Sequence, residues 1–310
     1  VVDPNLQFPE SHQWFVGIQR ELWSKNVIEV NYIGRRGVHL FGAYNVNQVN
    51  IFASDPRCPE NFLQAFNTLR ADGSANSCLI NLLFTGDPNN NAGTMTFRGI
   101  SAVSSALSLG NVATAALAAS QHTTGGVQTI GRPDGFNNPF FFQPYPQFTG
   151  GLNVLETNDY SRYNGLEVIF KRRITDGIGY QLAYTYSISK DTRSWDPTFS
   201  TVSTGTAQSA SSTPFDIHNR DLNYAWSDFD RRHVFQAYYV FELPFGRERK
   251  FASDIPRALD WVIGGWQLAG TLNLASGRPF TVYSGLFTYS NSVSSPANCN
   301  GCPRNLGKLI

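Results

Sequence analysis

Apolar and polar residues alternate with a period of two along several segments of the chain. In the clearest segment, residues 180–189, one face carries Tyr180, Leu182, Tyr184, Tyr186 and Ile188, and the other carries Gln, Ala, Thr and Ser. Strict alternation of this kind is typical of a β-strand with one apolar face. Over the whole chain it predicts strands at residues 13–23, 27–40, 160–174, 179–192, 231–245 and 265–283.

The connections between the predicted strands alternate in length. A few residues join the first two strands, and the tight-turn sequence Thr175-Asp176-Gly177 joins the third to the fourth. Residues 41–159 and 193–230 form long connections, and 246–264 form one of intermediate length. Short connections at one end and long ones at the other are typical of up-and-down barrels in the outer membrane, whose long loops are extracellular.

We therefore expect an all-β fold, an antiparallel up-and-down transmembrane β-barrel segment with long extracellular loops. Barrels begin at about eight strands, so about six strands are expected to be part of a larger barrel. The alternative is a soluble sandwich, which would carry charge on its solvated face. The polar faces here carry mostly Gln, Asn, Thr, Ser and Ala, which favours the barrel. Aromatic residues near predicted strand ends match interfacial girdles, namely Trp14, Trp23, Tyr32, Tyr160, Tyr186, Phe245, Trp261 and Trp266.

The connection at 41–159 is long enough to be a large extracellular insertion. Residues 59–71 fit a short amphipathic helix with Phe62, Leu63, Phe66 and Leu69 on its apolar face. Residues 101–120, rich in Ala, Ser and Leu, predict a second helix. Long surface loops are where ligand recognition usually occurs.

Composition narrows the class of protein. The 310 residues carry a net charge of +1 and 15% charged residues, which gives no field that would attract nucleic acid. Aromatics make up 14%, which argues against disorder. No apolar run approaches the ~18 residues of a transmembrane helix. Met95 is the only methionine, so we expect Val1 to follow from processing or to begin a fragment.

The four cysteines form two close pairs in polar surroundings, Cys58 with Cys78 and Cys299 with Cys302. This favours disulfides formed in an oxidising compartment. Free thiols are one alternative, and a redox or metal motif at Cys299 and Cys302 is another. A single Cys-x-x-Cys without a second ligand pair is weak evidence for zinc.

Enzyme chemistry is not expected, and neither a metal nor a cofactor is predicted. Ser227, Asp230 and His233 lie close in sequence, but near neighbours on one strand do not easily form a catalytic triad. Acidic residues in 193–230 offer calcium ligands without the regular spacing of a calcium loop, namely Asp216, Asp221, Asp228 and Asp230.

Short motifs occur in order over residues 12–283. They are His12-Gln-Trp-Phe-Val-Gly-Ile-Gln-Arg-Glu-Leu22, Val27-Ile-Glu-Val-Asn-Tyr-Ile-Gly34, Gly37-Val-His-Leu40 with Asn45-Val-Asn-Gln48, Tyr163-Asn-Gly-Leu-Glu-Val168, Ser227-Asp-Phe-Asp-Arg-Arg-His233 leading into Phe241-Glu-Leu-Pro-Phe-Gly246, and Gly265-Trp-Gln-Leu-Ala-Gly270 with Ser276-Gly-Arg-Pro-Phe-Thr281. The ordered set resembles the C-terminal barrel portion of TonB-dependent outer-membrane receptors of the Oar-like type. The long loops are not covered by this resemblance.

The resemblance implies a plugged barrel of about 22 strands in the bacterial outer membrane. Its expected partners are outer-membrane lipid, TonB with its inner-membrane energising complex, the remaining strands and plug of the same protein, and an unidentified ligand that is imported or exported. Residues predicted to face the lumen and to hydrogen-bond plug or ligand are Glu29, Asn31, Glu167, Lys171, Gln181, Gln236, Glu242, Gln267 and Asn273.

Two other functions fit the same sequence. A barrel without a plug would be a non-transporting surface protein for adhesion or assembly. A soluble extracellular β-domain would use its exposed aromatics to bind carbohydrate. A plug and a TonB box upstream would separate transport from the first alternative, and a requirement for detergent would separate it from the second.

Overall fold

The computed structural model describes residues 2–149, 151–194, 214–280, 282–291 and 295. Its six long strands all coincide with predicted strands. They are β1 (Glu10–Leu22), β2 (Asn26–Asn45), β3 (Asn153–Thr175), β4 (Ile178–Asp191), β5 (His233–Glu242) and β6 (Gln267–Ala275). They form one antiparallel sheet in chain order, and the short strand Ala225–Trp226 extends it by pairing with β4.

The strand ends differ most from the prediction in two places. The ladder of β2 and β3 continues past an irregularity near Leu40 as far as the pair Asn45–Asn153, so the predicted connection 41–159 shrinks to 46–152. Strand β6 ends at Ala275 rather than at residue 283. Pro279 lies between these two positions, and proline cannot donate a ladder hydrogen bond.

The strand register separates two faces, because directly opposed residues in an antiparallel ladder point to the same side. One cross-strand row runs through all six strands and is entirely apolar; it consists of Ile18, Val30, Val168, Tyr184, Phe235 and Leu274. We call this side the apolar face and the other side the polar face. The apolar face is uncovered, since 71% of Ile18 and 55% of Leu274 are exposed.

Residues 46–152 form a helical unit with a core of its own. Its helices are α1 (Phe62–Ala71), α2 (Cys78–Thr85), α3 (Ala92–Gly99), α4 (Ser101–Leu109) and α5 (Val112–Gln121). The predicted helix at 59–71 begins at Phe62 because Asn61 caps it and forms a capping box with Gln64. The predicted helix at 101–120 is two helices, since Gly110 adopts a left-handed conformation with φ of 86°.

The chain returns to this helical unit after β6. The backbone N–H of Ala113 donates to the carbonyl of Phe287 at 2.9 Å, and the Asn111 Oδ1 accepts from the Phe287 N–H at 3.0 Å. Phe287 and Tyr289 pack against the helical core. The helical unit is thus held by the segment after β6 as well as by its own ends.

Another helix, α6 (Arg257–Ile263), lies in the connection between β5 and β6. None of the helices among the described residues is long and apolar enough to cross a membrane.

A disulfide closes the start of the helical unit. Cys58 and Cys78 are bonded, as predicted, and lie 20 positions apart. Cys299 and Cys302 lie outside the described residues.

Replacing both bonded cysteines by serine is expected to destabilise the helical unit by about 3 kcal/mol, because the unfolded loop regains the freedom that the cross-link removes. Hydrogen exchange of amides in α1 and α2 would measure this. Reduction of the unaltered protein should give the same loss of protection, and unchanged exchange in both cases would contradict the expectation.

The helical unit is also expected to lose stability in mild acid. The Nδ1 atom of His122 lies 2.8 Å from the Thr129 Oγ1, and its ring centre lies 5.5 Å from that of Phe84. Burial lowers the pKa of His122 below its usual value. The His122 imidazole therefore binds a proton at a higher pH in the unfolded chain than in the folded unit. The stability of the helical unit falls as the pH falls through the usual histidine pKa of about 6.5.

The measurement is the difference in unfolding free energy between the unaltered protein and His122→Gln as a function of pH. As the pH falls from about 7.5 to about 5, the free energy of unfolding of the unaltered protein should decrease relative to that of His122→Gln. The difference should level off below the pKa of His122 in the folded protein. A difference that stays constant with pH would contradict the assignment.

Candidate functional site

All nine residues predicted to face the lumen lie on the polar face of the sheet. The register pairs Asn31 with Glu167, Lys171 with Gln181, and Gln236 with Asn273. It pairs Glu242 with Gln267 on the same side. Glu29, two residues before Asn31 on β2, completes the set. Their contact with a ligand stays a prediction.

Several of these side chains contact one another across strands. Glu29 and Lys171 form an ion pair. The Asn31 Nδ2 donates to the Glu167 Oε2 at 3.3 Å. The polar face at this level is therefore a connected set of donors and acceptors rather than a row of separate groups.

A cavity of about 490 Å³ opens on the polar face at the end of the sheet where the long connections 46–152 and 192–232 emerge. We call this end the long-loop end and the opposite end the short-turn end. The cavity is lined from β1, β2, β3 and β4 and from the loop before β5, and its lining includes Gln13, Arg35, Tyr163, Asp191 and Phe229. It brings together an exposed cation, a carboxylate, a phenol and an exposed aromatic ring.

The segment from Ser227 to Asp230 forms one wall of this cavity because β4 holds it in place. The Ser189 N–H donates to the Asp230 Oδ1 at 2.7 Å, and the hydroxyls of Ser189 and Ser227 lie 2.9 Å apart. The Ser187 N–H donates to the Arg232 carbonyl at 3.0 Å. Phe229 projects from this anchored segment and is half exposed.

A buried ionic cluster lies where the connection before β5 meets β2 and β3. Arg220 forms an ion pair with Glu156, which is 1% exposed, and its guanidinium lies 4.3 Å from the ring centre of Tyr44. Arg193 contacts the Asp159 carboxylate at 2.7 Å and donates to the Ala43 carbonyl at 3.0 Å. Burial lowers the pKa of Arg193, and the neighbouring Asp159 opposes this effect.

Sequence analysis did not identify this ionic cluster. Arg220 and Glu156 lie 64 positions apart, and nothing in the local pattern around either residue indicates a buried partner. A charged residue on a strand normally signals a solvated position.

The residues weighed for catalysis do not assemble. The His233 Nδ1 lies 2.7 Å from the Tyr184 hydroxyl on the apolar face. Ser227 instead contacts Ser189, which belongs to the polar face.

Two of the four residues weighed for calcium binding accept hydrogen bonds from backbone N–H groups. The Asp216 Oδ1 accepts from the His218 N–H at 2.8 Å, and Asp230 contacts Ser189 as described above. Within the described part of the chain, no group of three or more His, Cys, Asp or Glu side chains could hold a metal ion.

A family model for an outer membrane beta barrel domain matches residues 1–309. The chain belongs to this family. No curated protein and no solved structure matches it. Family membership places the protein in the bacterial outer membrane.

The two faces of the sheet then have a direct physical meaning. In an outer membrane beta barrel the lipid-facing side is apolar and the interior is polar. We therefore expect the apolar face to contact lipid and the polar face with its cavity to line the interior. This explains why large side chains such as Ile18 and Leu274 are uncovered within a single chain.

Adjacent residues on β3 test this orientation. Val168 lies on the apolar face and Ile169 on the polar face, opposite Glu29. Val168→Arg is expected to cost about 2–4 kcal/mol of folding free energy in a bilayer, because it places a charge in hydrocarbon. Ile169→Arg is expected to cost far less, since its charge meets Glu29. Folding of each variant into lipid vesicles along a urea series measures the two costs, and equal costs would contradict the assignment of the faces.

Proposed function

We propose that this chain is part of a TonB-dependent active transporter that moves a ligand through the interior of its barrel. The observation that carries the proposal is the segregation of the nine polar residues on the inner face, with a 490 Å³ cavity at the long-loop end. A ligand that passes a membrane needs a continuous polar path, and this face supplies one. The resemblance of the ordered motifs to Oar-like receptors supports the finer assignment.

In this proposal the cavity is the first internal site that a ligand meets after the long loops. Arg35 and Asp191 supply opposite charges, Tyr163 supplies a hydroxyl, and Phe229 supplies an aromatic surface. Such a mixture suits a ligand with both polar and apolar parts. Below the cavity, Glu167, Asn31 and the Glu29–Lys171 pair would hydrogen-bond the plug or the ligand.

Binding to TonB tests the proposal without knowledge of the ligand. The protein is isolated from outer membranes in detergent, its N-terminal peptides are identified by mass spectrometry, and it is mixed with the purified periplasmic domain of TonB. A plug-like sequence upstream of Val1 and saturable binding to TonB are expected. Absence of both would overturn the transporter proposal.

A second candidate function is that of a non-transporting surface protein. The observation that favours it is the helical unit, which has its own buried core and disulfide. A barrel that lacks a plug and fails to bind TonB, yet retains the folded helical unit on the cell surface, would support this candidate instead.

A further inference from the structure

Three cations stand side by side on the lipid-facing surface at the long-loop end of the sheet. Arg36 on β2 pairs with Arg162 on β3, and Arg162 pairs with Lys190 on β4. We call these three residues the cation row. Lys190 pairs in turn with Trp226 on the neighbouring short strand, and the Lys190 Nζ lies 4.6 Å from the centre of the Trp226 ring. The Arg232 guanidinium lies 4.0 Å from the same ring.

The cation row lies just beyond the apolar band of the lipid-facing surface. On β4 the residues that precede Lys190 on this face are Ile188, Tyr186 and Tyr184. On β3 only Asn164 separates Arg162 from Leu166, which is 44% exposed. Rings such as Trp226 are typical of the boundary between hydrocarbon and headgroups. The row therefore lies at headgroup depth.

Among the described residues, no ion pair joins a carboxylate to Arg36, Arg162 or Lys190. Three acidic side chains in this part of the protein contact other residues. Glu10 pairs with His12 at 3.3 Å, and Asp230 lies 3.7 Å from Arg232. Asp221 is hydrogen-bonded to Tyr160.

Directly opposed residues of neighbouring strands have Cα atoms about 4.5–5.5 Å apart, and like charges at that distance repel. Arg36 and Arg162 are both exposed, so an external anion can reach them. The repulsion would be relieved by an anion bound from outside the chain.

We propose that the cation row binds the phosphate groups of phosphorylated lipid headgroups in the leaflet at the long-loop end. Two neighbouring guanidinium groups match the oxygen pattern of a phosphate, since each can donate two parallel hydrogen bonds. The occupant is a lipid rather than a solute, because the row borders the apolar band and its cations lie at the depth of the headgroups. This site depends on the outer-membrane location and is independent of transport.

The test compares two variants that each lose two positive charges. Arg36→Gln with Arg162→Gln removes the pair from the lipid-facing surface. Arg35→Gln with Arg231→Gln is the matched control, because the register places Arg35 on the polar face opposite Tyr163 and Arg231 lines a cavity on that face. The protein is isolated from outer membranes in detergent, and bound diphosphoryl lipid A is counted by native mass spectrometry. Dephosphorylated lipid A and inorganic phosphate are the comparison probes.

The unaltered protein and the control variant are expected to bind diphosphoryl lipid A equally. Arg36→Gln with Arg162→Gln should bind it on the order of 30-fold more weakly, as loss of two surface cations implies. Arg36→Lys with Arg162→Lys keeps the charges but loses the forked donors, so it should bind more weakly than the unaltered protein and more tightly than the glutamine variant. Such intermediate binding would show that the loss is not caused by misfolding. Equal binding by the glutamine variant and the control, or equal binding of dephosphorylated lipid, would overturn the proposal. Displacement of the lipid by millimolar inorganic phosphate would also overturn it and identify a site for the free ion.

Discussion

Arg220→Ala is expected to release the connection before β5 from the long-loop end of the sheet, at a cost of about 3 kcal/mol in folding free energy. Glu156 is almost fully buried, so removal of its partner leaves an uncompensated carboxylate away from water. Breaking a buried ion pair on one side costs about 3–5 kcal/mol, and the partial exposure of Arg220 favours the lower end. Tyr44 also loses the guanidinium that covers its ring. Faster hydrogen exchange at residues 214–226 is the expected sign of release.

The matched control for this variant is Arg132→Ala. Arg132 pairs with Asp134, whose side chain is 65% exposed, and surface pairs of this kind contribute little to stability. The double variant Arg220→Met with Glu156→Leu should recover much of the stability, because it removes both buried charges. Equal effects of Arg220→Ala and Arg132→Ala would show that the buried cluster does not hold this connection.

Phe62→Ala is expected to cost about 3–5 kcal/mol of the stability of the helical unit. Phe62 is fully buried and makes edge-to-face contacts with Phe142 at 4.8 Å and with Phe97 at 6.1 Å between ring centres. It also begins α1, next to the capping residue Asn61. Alanine would leave a cavity where α1, α3 and the segment around Phe142 meet.

Urea unfolding of the helical unit, followed by hydrogen exchange in α1 and α3, measures this loss. Met95→Ala is the control on α3, since Met95 is 73% exposed and its replacement should change stability by about 0.5 kcal/mol or less. Exchange in β2 and β3 should remain unchanged if the helical unit unfolds as a separate cooperative unit. Loss of protection throughout the sheet would contradict that separation.

The strands could be predicted from the sequence because each strand lies between two different environments. Residues 180–189 alternate strictly, since Tyr184 and its neighbours lie on the apolar face and Gln181 lies on the polar face. This preference acts residue by residue, so a local pattern reports it. The same alternation predicts one common face for all nine predicted lumen residues, and the register places them on one face.

The helical unit was only partly predictable for the opposite reason. Helix α2 has the sequence Cys78-Leu-Ile-Asn-Leu-Leu-Phe-Thr85, and it is buried nearly all round. A helix without a polar face has no period of 3.6 residues for sequence analysis to detect. Even Asn81 within it is fully buried, and its side chain contacts the backbone N–H and hydroxyl of Thr94.

The sequence alone thus determined the six strands, their antiparallel order, the faces they present and the first disulfide. These features depend on local alternation, on tight turns and on residues near each other in the chain. Only the tertiary structure decided where the buried ions, the cavity wall and the cation row lie. Arg220 meets Glu156 across 64 positions, and Arg36, Arg162 and Lys190 become neighbours only when three strands pair. The energy of such contacts depends on distance and burial, which a sequence pattern does not contain.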